Sequence, residues 1–267
     1  MTATHAGWRD YAIEALLLAV FMLSASAFTI LVEHPRGLLS AVITDPLPRR
    51  FLIGCAMAIT AAVLIYSPWG ARTGAHMNPA VTLALWRMRG MRPVDVWGYL
   101  AGQFAGGIAG MAVAGLLFGS SLSHASVNWV VTRPGPPGTA VAFAAEVLMT
   151  LLLMTTVLRL ANHPRWAART GVVTASLLAA FITLEAPLSG MSLNPARTLG
   201  PALFANDFTG LWIYFIAPPA GMLLAAYVYS ARCPHGHCPR GLHAHPAHPA
   251  HPAHPVHPVH PVHPVHP

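Results

Sequence analysis

The chain has 267 residues, 55% of them hydrophobic and 9% charged, where soluble domains run near about 25% charged; with a mean hydropathy of +0.54, a water-soluble globular protein is excluded. The formal net charge of +7 comes from Arg alone, since there is no Lys. The arginines stand singly or in short groups between apolar runs, which excludes a nucleic-acid-binding face.

From the N-terminus, residues 1–10 are polar and short. The apolar run behind them reads as a retained first span, not a cleavable signal. A bilayer core of about 30 Å takes roughly 20 apolar residues per helix. Spans are expected over 11–32, 51–66 and 93–118, then over 139–160, 171–186 and 211–230. Between the second and third lies a turn-rich stretch, 67–74, then a short apolar segment, 78–88. A second short segment, 194–204, lies between the fifth and sixth spans. Neither is long enough to cross. Each opens on the same triplet, Asn78-Pro79-Ala80 and Asn194-Pro195-Ala196, and Glu14 in the first span is echoed by Glu146 in the fourth. Three spans per half turn the second copy over relative to the first, an inverted repeat over 11–118 and 139–232 whose paired interruptions mark the conduction site. The expected fold class is an all-α membrane protein with six transmembrane helices and two half-helices, one channel domain over 11–232.

The triplet has a physical logic. Asn is a strong helix N-cap, and Pro at the first helical position gives up an N–H that would be unpaired anyway. A half-helix that stops inside a membrane is tolerated where its end lines a wet cavity or is buried in protein. Two such helices entering from opposite faces meet near the middle, each presenting about half a positive charge. With the Asn amides as donors, that centre orients water by its oxygen and opposes cations and protons. Asn78 and Asn194 are the leading site residues, and each can divide its groups between cap and pore. Arg197, where the first copy has Val81, is a charge inside a span and is read as pore-lining. Glu14 and Glu146 are read as buried acids that accept hydrogen bonds from the adjoining loops, and Gln103 as structural. Arginine bias places both termini inside: Arg9, Arg72, Arg87, Arg89, Arg92, Arg159, Arg165, Arg169, Arg232 and Arg240 then face the cytoplasm, against Arg36, Arg49, Arg50 and Arg133 outside. A cell (plasma or inner) membrane location follows.

These residues resemble the aquaporin, or major intrinsic protein, family. The resemblance covers about 8–232 and rests on Gly74-Ala75-His76-Met77-Asn78-Pro79-Ala80-Val81-Thr82, on Asn194-Pro195-Ala196-Arg197-Thr198-Leu199-Gly200-Pro201, on the two glutamates and Gln103, and on Trp212-Ile213-Tyr214-Phe215. It implies a homotetramer with one pore per subunit and passive transport. It also implies an outer selectivity filter of four positions. Arg197 matches its arginine, Ile182 stands where water-selective members have His, Met191 is the loop position, and the span-two position is Met57 or Ala58. Thr198 and Tyr214-Phe215 lean toward the water branch, since glycerol channels of the family carry Asp and Pro-Leu there. The reading is a water-type scaffold with a more apolar filter, open to water, glycerol, hydrogen peroxide or ammonia. Glu185, near the outer mouth, is expected as a solvated loop acid.

From Cys233 the composition changes. Cys233-Pro234-His235-Gly236-His237-Cys238 precedes His-Pro steps every third residue from His245 to His266, a pattern suited to polyproline II. Cys233, His235, His237 and Cys238 offer four N/S ligands, so this 233–267 tail is a candidate Zn, Ni or Cu binder, with a low-complexity tail as the plain alternative. The competing function is a metal-handling or metal-sensing membrane protein. The channel itself calls for no cofactor, and no nucleophile–base pair suggests an enzyme.

Overall fold

The computed structural model describes residues 6–89 and 91–232. The candidate ligands Cys233, His235, His237 and Cys238 lie outside them. Among the described residues, six helices are long and apolar enough to cross a membrane. They are α1 (Trp8–Glu33), α2 (Pro46–Tyr66), α5 (Pro93–Phe118), α7 (Thr139–Ala161), α8 (Thr170–Leu184, preceded by a 3-10 turn from Ala167) and α11 (Leu211–Ala231). Two half-helices, α4 (Pro79–Arg89) and α10 (Pro195–Ala205), complete each half. Short helices α3 (Pro68–Thr73), α6 (Ser120–Ser123) and α9 (Ala186–Ser189) sit in the connections.

Proline sets several of the starts. Pro46, Pro68, Pro79, Pro93 and Pro195 each open a helix, where the missing N–H costs nothing. Side chains cap several of the same ends: Asp45 Oδ1 accepts from Leu47 N at 2.9 Å, and Ser67 Oγ from Gly70 N at 2.9 Å. The Ser67 cap corrects one expectation, because most of the turn-rich stretch 67–74 is helix α3, stopped by Gly74 in the left-handed region (φ 86°). α8 also ends two residues earlier than expected. Glu185 caps it, and α9 begins at Ala186.

The two halves pack as crossed copies. α1 lies on α5 and α7 on α11 within the halves, while α2 meets α8 between them. Each half-helix then packs against the last span of the opposite half, α10 on α5 and α4 on α11. Small residues allow the approach. A Cβ on Gly102, Gly106 or Gly110 of α5 would run into the carbonyl oxygens of Tyr11, Ala15 and Ala19, one turn apart on α1. In the same way a Cβ on Gly107 of α5 would run into the Ala196 carbonyl of α10, and one on Gly200 of α10 into the Gly107 carbonyl. Leu, Ile, Trp and Phe side chains on the outer faces of the spans, among them Ile59, Trp97, Leu116, Leu148 and Ile216, are exposed, as lipid contact requires.

Candidate functional site

The two half-helices meet end to end through their caps. Asn78 Oδ1 accepts from Ala80 N (2.8 Å), and Asn194 Oδ1 accepts from Ala196 N (3.0 Å) and Arg197 N (3.2 Å). Each Asn then reaches across. Asn78 Nδ2 donates to the Leu193 carbonyl and Asn194 Nδ2 to the Met77 carbonyl, both at 2.8 Å. This reciprocal clasp ties the N-termini together. It uses one of the two protons on each Nδ2, and both Asn residues line the cavity above it.

The loops entering the clasp are strained in parallel. Ala75 and Met77 (both φ 47°) and Met191 and Leu193 (φ 54° and 57°) are left-handed, each at about 1–2 kcal/mol for a non-glycine residue. Buried hydrogen bonds offset that cost. Glu14, fully buried in α1, accepts from Thr73 Oγ1 (2.7 Å), His76 N (3.0 Å), Met77 N (2.6 Å) and Gln103 Nε2 (2.9 Å). Glu146, fully buried in α7, accepts from Ser189 Oγ (2.8 Å), Ser192 N (2.7 Å) and Leu193 N (2.8 Å). Behind each loop a tyrosine from the last span holds the next carbonyl, Tyr99 to Thr73 O at 2.9 Å and Tyr214 to Ser189 O at 2.5 Å. The copies differ four residues after the tyrosine. Gln103 stands in α5 and Pro218 in α11, so Glu146 has one donor fewer.

On the side of the α1–α2 connection, a cavity of about 310 Å³ opens above the clasp. Met57, Ile182, Met191 and Arg197 all line it, together with Asn78 and Asn194. Ala58, the other candidate in α2, is half-buried and not among the lining residues. An Nη1 group of Arg197 donates to the Thr132 hydroxyl, which fixes the guanidinium against the 119–138 connection. Glu185 corrects another expectation. It is 9% exposed, and neither carboxylate oxygen has a hydrogen-bond partner. Burial, reinforced by the nearby Glu146 charge, pushes this carboxyl up to about 7.

The residues the sequence reading missed are Thr73 and Ser189, Tyr99, Thr132 and Arg50. Thr73 and Ser189 each stand five residues before their Asn, so laying the two halves on the triplets would have paired them. Arg50 lines the cavity through a fold in which α2 starts beside α8, and its position in sequence carries no such signal. Among the described residues no group of three or more His, Cys, Asp or Glu is placed to hold a metal ion.

Comparison with known proteins agrees with this architecture. The family model described as "Major intrinsic protein" matches residues 2–229. Relatives include "Aquaporin NIP2-3" of Zea mays, 36% identical over 66% of this chain and 56% of its own length. "Nodulin-26" of Glycine max is 33% identical over 67% and 64%. "Glycerol uptake facilitator protein-like 6" of Lactiplantibacillus plantarum is 35% identical over 66% and 82%. The chain thus spans less than two thirds of the length of the plant relatives. The aquaglyceroporin of Plasmodium falciparum, a solved structure, superposes with a TM-score of 0.71 at 18% identity, covering 84% of this chain and 96% of its own, which bears on the fold alone. The chain belongs to the major intrinsic protein family.

Proposed function

We propose that this protein is a passive membrane channel for water and small uncharged solutes, with no enzymatic step. The observation that carries the reading is the reciprocal Asn78–Asn194 clasp at the floor of a cavity. Two helix N-termini bring positive potential to one point, and the remaining amide protons are available to a solute oxygen. A cation meets that field with no carboxylate among the lining residues to replace its water, whereas a neutral hydroxyl compound exchanges hydrogen bonds one at a time.

The filter is assigned to Met57, Ile182, Met191 and Arg197, with Met57 preferred to Ala58 because it lines the cavity. Three apolar walls and one fixed donor suit a solute with a short carbon skeleton as well as water. The resemblance to proteins named aquaporins and to one named for glycerol uptake supports that breadth, and hydrogen peroxide and ammonia belong to the same class. The arginine bias supports cytoplasmic termini in a cell membrane, and family resemblance supports a homotetramer.

Stopped-flow swelling of vesicles holding the full chain, challenged separately with water, glycerol and peroxide gradients, tests the reading. Faster equilibration than in protein-free vesicles is expected for water and for at least one other solute. No increase for any of them would sink it.

A further inference from the structure

The cavity above the clasp holds a second guanidinium. Arg50, in the first turns of α2, donates from Nε to the Thr183 carbonyl at 3.1 Å, at the end of α8. Its Nη groups have no hydrogen bond and no ion-pair partner among the described residues, although Arg50 lines the cavity. Its neighbour Arg49 is fully engaged, with Nε on Ile43 O (2.6 Å), Nη1 on Glu33 (3.1 Å) and Nη2 on Ser40 O (2.7 Å). One arginine of the pair therefore staples the α1–α2 connection, and the other, in the cavity's lining, keeps an unused fork.

No Asp or Glu lines this cavity, so two fixed positive charges, Arg50 and Arg197, stand without a lining counter-charge. Much of the remaining wall is apolar, with Phe21, Ile53, Met57 and Ile182 on it. A free guanidinium fork matches a carboxylate with two parallel N–H···O bonds. An apolar wall beside it favours an alkyl group over more water. We propose that the cavity binds a short-chain monocarboxylate, its carboxylate on the Nη groups of Arg50 and its alkyl end against the apolar wall. The anion then sits over the clasp and obstructs the neutral-solute path. That obstruction rests on the channel reading; the binding does not. Arg197, already anchored to Thr132, adds attraction, while Arg50 supplies the pairing geometry.

Binding of isotope-labelled propionate to the full chain in detergent at about pH 7.5, where an ordinary carboxyl is ionised, tests this by equilibrium dialysis. Saturable binding is expected, with propionamide unable to compete. Arg50→Gln should weaken it about tenfold or more, and Arg50→Lys, which keeps the charge but not the fork, by less. Ile53→Glu lines the cavity one helical turn from Arg50, so it supplies a tethered carboxylate and should abolish binding without removing the arginine. In vesicles, propionate should slow water flux through the wild type and spare the Arg50→Gln protein. Absence of saturable binding, equal competition by propionamide, or binding retained by both Arg50→Gln and Ile53→Glu would overturn the site. Intact binding in a protein that passes no solute would support the site and overturn the channel reading instead.

Discussion

Glu146→Gln offers a sharp test of how the clasp is held. The carboxylate takes Ser189 Oγ and Ser192 N on one oxygen and Leu193 N on the other. An amide presents one oxygen and one NH₂. The Ser189 hydroxyl can rotate to accept, but a backbone N–H cannot, so either orientation sets an NH₂ group against Ser192 N–H or Leu193 N–H. Hydrogen bonds to a charged group contribute about 1.5–3 kcal/mol, and a buried donor left unpaired costs about 1–3. The expected loss is therefore about 2–5 kcal/mol, falling on Ser192 or on its neighbour Leu193, whose carbonyl accepts from Asn78. Unfolding in detergent is measured at fixed scan rate, since membrane proteins commonly unfold irreversibly. At about 2–4 °C per kcal/mol for a chain of this size, the apparent midpoint should fall by roughly 4–20 °C, and water permeability should fall with it. Glu33→Gln, which breaks a partly exposed pair with Arg49, is the control, at about 0–1 kcal/mol. A Glu146→Gln protein with the wild-type midpoint and the wild-type permeability would refute the reasoning.

Three further outcomes follow from the same geometry. Gly106→Leu forces a side chain into the Ala15 carbonyl on α1, and gel filtration should show aggregated protein in place of a folded fraction. Ile182→His adds a hydrogen-bonding group to an apolar wall of the cavity and should lower glycerol permeability relative to water several-fold in the swelling assay. Glu185 has a folded-state affinity for protons above its unfolded one, with its carboxyl near about 7. The native state thus holds a proton that the unfolded state has released. Stability should fall as pH rises from the ordinary carboxylate range to about 7 and then level off. Glu185→Gln should flatten that profile and raise the midpoint above neutral pH.

Much of this architecture was legible in sequence because membrane constraints are blunt. Apolar length gives the six spans, and an Asn-Pro pair at the head of a segment too short to cross can only be a capped half-helix. The duplicated glutamates were legible as loop anchors for a similar reason, since a buried carboxylate must find donors and the nearest free backbone N–H groups lie in the interrupted segments. The span-two lining residue was not fixed, because the length of the loop before Asn78 leaves the register of α2 open by one. It is Met57 that lines the cavity, and Ala58 does not. Glu185 was misread because a polar residue after a span looks solvent-facing, whereas here it stands at the junction of α8 and α9 and is buried. Arg50 was read as an outer topology charge, and its side chain's place beside α8 depends on a contact 133 residues away in sequence.

The central claim, that the clasp passes neutral solutes and holds back charge, is tested most directly by measuring water flux and proton leak in the same vesicles. Vesicles carrying the full chain should shrink several-fold faster than protein-free vesicles under an osmotic step, while an imposed pH gradient decays at the protein-free rate. Rapid collapse of the pH gradient, or shrinkage no faster than the lipid alone, would contradict the account.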